Sequence, residues 1–249
     1  LELNTLKAIR KLENKESKDI NIDIQLRHSY PPVWNWPTSP DTKVIYIQPW
    51  EFPKAPFEWQ YKFETFSDML CVPSEYERQV FLTGGMNPDN IVVVPNGFDD
   101  TVFNQTPVKP YGNINPDKYN FVFVGNGQWR KGGCYPFLPD KGPHNDFIPE
   151  DVGIRFVTEG QPINITDPQY FAVKPGDATT LMSTHTFINE PHIDDVKNKI
   201  MGIYHHHQKN KLIDDIKNVK LDNTWKNVCK KYEEVIKNVS EYTQPKRIS

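Results

Sequence analysis

The chain has 249 residues, with 29 Lys+Arg against 32 Asp+Glu and a formal net charge of −3. That length suits one large domain or two small ones and falls short of the roughly 300 residues that two complete doubly wound nucleotide-binding domains require. Mild acidity with both signs mixed along the chain argues against a dedicated nucleic-acid binder, and no apolar run approaches the ~18 residues of a membrane span. Cys71, Cys134 and Cys229 are scattered and odd in number, so neither zinc spacing nor a disulfide framework is implied, and a reducing compartment, the cytoplasm, is expected. No signal-peptide pattern follows Leu1, and the sequons at Asn104, Asn164 and Asn238 are what chance gives in an Asn-rich chain.

In chain order, Leu3, Leu6, Ile9 and Leu12 predict a helix over 3–15. Ile20, Ile22, Ile24 and Leu26 alternate with polar residues, the pattern of a strand with one buried face. A loop rich in Pro and Trp follows (Pro31, Pro32, Trp34, Trp36, Pro37, Pro40), then a strand over 44–47, a helix over 58–67 and a short strand over 68–72. Ser74 with Glu77 forms a capping box that starts the next helix, and Gly84-Gly85 stops it. The β-branched run at 91–94 suits a strand covered on both faces, and Pro95-Asn96-Gly97 turns the chain. This alternation predicts an α/β domain with helices on a sheet. After a linker at 106–118, Phe121-Val122-Phe123-Val124-Gly125 reads as a buried strand opening into a glycine-containing basic loop. Residues 207–218 look helical. Residues 223–238 form an amphipathic helix with Trp225, Val228, Cys229, Tyr232, Val235 and Ile236 on one face.

Several residues could carry chemistry. Arg130 and Lys131, in a loop at the carboxyl end of a buried strand, could hold a diphosphate by charge-assisted hydrogen bonds, or could form a solvated basic turn. His28 and Glu51 each follow a predicted strand, so both could face one cleft and orient or deprotonate a hydroxyl. Arg27 and Trp50 lie beside them. Trp34 and Trp36 read first as a hydrophobic lid and second as platforms for sugar rings. Three successive residues on a helix point in different directions, which disfavours a metal at His205-His206-His207. Asp99-Asp100 and Asp194-Asp195 suit helix caps and turns better than a cation, and no metal site is expected.

Taken together, several motifs resemble the family-four glycosyltransferases. Val72-Pro73-Ser74-Glu75-Tyr76-Glu77-Arg78, then Gly85, then Ile91-Val92-Val93-Val94-Pro95-Asn96-Gly97-Phe98-Asp99 with Phe103 are similar to one of that family's signatures. Phe121–Gly125 with Arg130-Lys131-Gly132 resembles the next. Arg27-His28-Ser29-Tyr30-Pro31-Pro32 and Gln48-Pro49-Trp50-Glu51-Phe52 resemble a subgroup. The resemblance covers residues 24–132 and implies a GT-B-like pair of doubly wound, Rossmann-type α/β domains. The first is a partial acceptor-side domain (1–105) and the second a partial nucleotide-sugar-binding domain (119–249).

The resemblance implies transfer of a hexosyl-type sugar, with retention and without a metal, from a nucleotide sugar to a hydroxyl of a glycan, lipid or protein. No cofactor is implied beyond that donor substrate. From their places after the strands, His28 and Glu51 are expected to be catalytic and Arg27 and Trp50 acceptor-side; the resemblance makes Gly125, Gly127, Arg130 and Lys131 diphosphate-binding. Without a metal, fixed cations must stabilise the departing diphosphate. Gly133-Cys134-Tyr135-Pro136-Phe137-Leu138, Gly142 with Asp146-Phe147, and the tail from Lys174-Pro175-Gly176-Asp177 through the Trp225 helix resemble the end of the family's second domain, joined directly to its beginning. An internal block after Gly132, including the donor-contacting glutamates, and the opening of the first domain are therefore expected to be missing, leaving both domains incomplete. The alternatives are a non-catalytic relative acting as a binding or scaffold protein, and a nucleotide-sugar epimerase.

Overall fold

A computed structural model of the chain describes residues 22–30, 32–37, 39–103, 137–146, 148, 154–164, 185–206 and 222–241. The helices expected at 3–15 and 207–218, the strand at 121–125 and the basic loop after it lie outside these residues.

Four strands, β1 (Ile24–Arg27), β2 (Lys43–Ile47), β3 (Met69–Val72) and β4 (Ile91–Val93), form one parallel sheet in that order. Helix α1 (Phe57–Phe66) links β2 to β3, and α2 (Glu75–Thr83) links β3 to β4. Parallel neighbours need a crossover. Between β1 and β2 it is supplied by the Pro/Trp loop, where Trp34 packs edge-on to Phe63 with ring centroids 4.9 Å apart. The lid reading of Trp34 therefore holds. Trp36 reaches Phe66 at 4.8 Å while staying 47% exposed.

Strand alternation divides the core into two layers. Val44, Tyr46, Leu70, Val72 and Ile91 face α1 and α2, where Trp59, Phe63, Val80 and Phe81 complete a buried cluster. Ile45, Cys71 and Val94 face the other way and are covered by Val228, Val235 and Val239. These three belong to α4 (Trp225–Glu241), whose sequence lies far beyond the sheet it covers. Tyr232 and Ile236 join that contact, as the amphipathic pattern anticipates, but Trp225 and Cys229 stay exposed at its margin. The helix is clasped to the sheet at its start. Phe98 N–H donates to the Asn223 carbonyl at 3.0 Å, and Trp225 N–H donates to the Phe98 carbonyl at 3.1 Å. At Gly97 a Cβ would lie 2.5 Å from the Trp225 ring, so the clasp requires glycine there.

β1 departs from the one-sided strand its alternation predicts. Ile24 packs under α4, yet Leu26 is 49% exposed, while Arg27 on the opposite face is buried. The Arg27 guanidinium donates to the Asn35 carbonyl (2.7 Å) and to the Tyr46 hydroxyl (2.8 Å), and the Tyr46 hydroxyl donates in turn to the Val33 carbonyl. Arg27 thus fastens the Pro/Trp loop.

Helix α2 starts and stops where its sequence predicts, with the Ser74 half of the capping box formed. Ser74 Oγ accepts from Glu77 N–H at 3.1 Å. At the other end Gly85 adopts φ 99°, and Met86 N–H returns to the Phe81 carbonyl at 3.2 Å, closing a Schellman turn.

Beyond residue 136 the described chain forms a parallel pair, β5 (Phe137–Pro139) with β6 (Ile154–Phe156), and an antiparallel pair, β7 (Thr158–Asn164) with β8 (His185–Pro191). Helix α3 (Ile193–His206) follows. Asp195 in its first turn accepts the Val157 N–H, 38 residues earlier in the chain, at 2.9 Å, a structural contact other than the cap or turn expected of the Asp194-Asp195 pair. The residue pattern predicts no strand at β7 or β8. The α/β architecture is thus present as a parallel sheet with helices. Among the described residues no helix is long and apolar enough to cross a membrane.

Candidate functional site

All four strands of the main sheet end at one edge, and the residues immediately after them line two adjoining clefts. Open α/β sheets bind ligands at this carboxyl edge, because chain reversals there leave a crevice of backbone ends and loop side chains.

The first cleft, about 240 Å³, is lined by His28, Ser29 and Tyr30 after β1 and by Gln48, Pro49, Trp50, Glu51 and Phe52 after β2. The second, about 360 Å³, shares Pro49 and Glu51 with it. Ser74 and Glu77 of the α2 start, Asn96 and Phe98 after β4, Pro143 and Asn223 also line it.

The structure brings His28, Trp50 and Glu51 together around the first cleft. His28 is exposed and its Nδ1 lies 3.0 Å from the Ile47 carbonyl. A carbonyl only accepts, so this contact places the proton on Nδ1 and leaves the lone pair of the neutral imidazole on Nε2. Glu51 is an exposed carboxyl between the clefts. Trp50 is 2% exposed, with Nε1–H donating to the Lys54 carbonyl at 2.9 Å and its ring against Trp59 and Phe52. Its ring faces are thus largely occupied, and Tyr30 is the exposed aromatic of the cleft. Arg27 lines neither cleft. Arg27→Met is expected to lower stability by about 2 kcal/mol, the worth of charged hydrogen bonds to buried partners. Urea denaturation tests this, and an unchanged midpoint would show that the Arg27 network contributes nothing. Gly125, Gly127, Arg130 and Lys131 lie outside the described residues.

Two participants escape a reading of the sequence. Buried Gln48 donates Nε2 to the Pro49 carbonyl at 3.1 Å, and its Oε1 has no hydrogen-bond partner among the described residues. Its place in the Gln-Pro-Trp-Glu run is the only available signal. Glu77 reads as half of a capping box, but its carboxyl instead accepts Trp50 N–H at 3.2 Å. Burial pushes Glu77 up to about 8; the Trp50 hydrogen bond opposes that rise and the charge of Asp146 adds to it. Asp146 itself accepts Tyr76 N–H at 3.1 Å, docking the short turn Pro143–Asp146 onto the start of α2.

Among the described residues no group of three or more His, Cys, Asp or Glu side chains is placed to hold a metal ion. His205 and His206 close α3, and His207 lies outside the described residues. Comparison with protein-family models, with curated proteins and with solved structures finds no match to this chain.

Proposed function

We propose that this chain derives from a retaining, metal-independent glycosyltransferase of GT-B type, with the acceptor hydroxyl bound in the first cleft. The observation that carries the reading is the convergence of His28, Trp50 and Glu51, each from a family-like motif, around one cleft at the carboxyl edge of a parallel sheet. In this reading Tyr30 offers an apolar face to a sugar ring, and Glu51 accepts hydrogen bonds from its hydroxyls. His28 Nε2 takes the proton of the attacking hydroxyl, directly or through the leaving phosphate. Arg130 and Lys131 hold the diphosphate as its negative charge develops. The finer architecture, a pair of doubly wound domains split at 106–118, belongs to this proposal, as does the missing block after Gly132.

Binding of nucleoside diphosphate tests it. Millimolar UDP or GDP is expected to raise the melting temperature, because a ligand that binds only the folded state stabilises it by about 2.7 kcal/mol at a hundredfold excess over Kd. Lys131→Ala is expected to weaken that binding roughly 10- to 100-fold, the worth of one charge-assisted hydrogen bond. His28→Ala should leave diphosphate binding intact and abolish transfer. Melting curves indifferent to both nucleotides would defeat the catalytic reading and favour the binding or scaffold alternative. Interconversion of a free nucleotide sugar without any acceptor would point to an epimerase.

A further inference from the structure

The peptide that carries Glu51 is held from outside its own loop. Gln48 N–H still belongs to the sheet, donating to the Cys71 carbonyl at 3.0 Å. Pro49 then turns the chain, and Trp50 N–H is the next backbone donor. Its acceptor is a carboxyl oxygen of Glu77, 27 residues later in the chain and 3% exposed. That contact is absent from an ordinary capping box, in which the glutamate returns to its own helix start. Here Ser74 provides its half of the cap, and the glutamate leaves to serve another loop.

The same helix start receives a second long-range carboxyl. Asp146 accepts Tyr76 N–H, so the Pro143–Asp146 turn and the Trp50–Glu51 peptide both meet the first turn of α2. Glu51, Glu77 and Pro143 all line the second cleft. Among the described residues, Glu51 lines the same cleft as Glu77, Asp146 acts on its charge, His144 belongs to the same docked turn, and its own helix carries Glu75 and Arg78. The last two pair with each other at 3.0 Å.

We propose that Glu77 is the positioning residue of the site: its carboxyl fixes the Trp50–Glu51 peptide against the start of α2 and so sets where Glu51 stands between the two clefts. The importance of Glu51 rests on the sugar-transfer reading. The hold on Trp50 does not.

The geometry implies that a neutral acceptor is sufficient. Glutamine keeps a carbonyl oxygen in the same place, whereas leucine keeps the volume and removes the acceptor. The test follows the Trp50 backbone amide by NMR in the full chain labelled with 15N-tryptophan, assigned by its loss in Trp50→Phe. In the native protein this signal is expected to titrate with the Glu77 carboxyl, with a midpoint near 8. In Glu77→Gln it should stay in the hydrogen-bonded range and lose the titration. In Glu77→Leu it should move upfield and its hydrogen exchange should accelerate at least tenfold. A Trp50 amide that stays fixed while the Glu77 carboxyl titrates, that still titrates in Glu77→Gln, or that keeps its native shift and exchange rate in Glu77→Leu would overturn the proposal. The native titration and the Gln variant decide the matter even if the Leu variant does not fold. UDP and GDP binding, read separately by melting temperature, reports on sugar transfer. Its failure beside a titrating Trp50 amide would sink the transfer reading and leave the Glu77 hold standing.

Discussion

Val228→Asp is expected to strip α4 from the main sheet and to lower the unfolding free energy by more than about 4 kcal/mol, the range reserved for an unpaired charge in a core. Val228 is 1% exposed and packs with Ile45, Cys71 and Val94. A carboxylate there has no cation among those neighbours, and the strands beneath would face water on one side. The accompanying signature is chemical. Cys71 is fully buried, and burial pushes its thiol up to about 12, so it should resist alkylation in the native chain while exposed Cys229 reacts. In Val228→Asp, peptide mass mapping should find Cys71 modified. Lys230→Ala, on the solvent side of the same helix, should change stability by no more than about 0.5 kcal/mol. A native-like urea midpoint with Cys71 still protected in Val228→Asp would show that the sheet does not depend on this helix for cover.

The second large effect concerns pH. Glu77 rises from an ordinary value of 4.5 to about 8 in the folded chain. Between those values the native state holds a proton that the unfolded state has released, so the stability that Glu77 contributes is full below about 4.5 and falls as pH climbs toward 8. Glutamine removes the titration. The stability of Glu77→Gln relative to the native chain should therefore grow with pH, from little difference at pH 4 to an advantage on the order of 2–4 kcal/mol at pH 9. That range follows from about 1.36 kcal/mol for each pH unit separating the folded and unfolded values, with allowance for relaxation. Urea denaturation of both proteins at the two pH values reads this directly, since every other carboxyl is common to the pair. A difference that stays constant with pH would show that Glu77 ionises as freely folded as unfolded.

What the sequence discloses is local. The β-branched run of β4, the Ser74 cap and Gly85 of α2, and the apolar stripe of α4 each declare themselves within a few residues, because backbone sterics and side-chain period act at that range. His28 and Glu51 are also legible, because both follow strands and parallel strands end together. Long-range choices are hidden. Nothing near Glu77 shows that its carboxyl serves Trp50 instead of its own helix, and nothing near Asp146 shows that it caps α2. The burial of Arg27 beside exposed Leu26 inverts the hydrophobic pattern, and only the Tyr46 hydroxyl and the Asn35 carbonyl, both distant in sequence, explain it. β7 carries Gly160 and Pro162, which weaken a strand signal, so its pairing with β8 leaves little trace.

The clasp at Gly97 and the cover supplied by α4 also bear on how the chain is made. About 130 residues separate Val94 from Val228. At ~5–20 residues per second a ribosome needs roughly 7–26 s to cross that interval. Throughout it Ile45, Cys71 and Val94 have been synthesised but the helix that shields them has not. Among the described residues nothing else covers that face, so the waiting sheet is a natural substrate for a holding chaperone, and slow translation between β4 and α4 would lengthen the time in which the face can find the wrong partner.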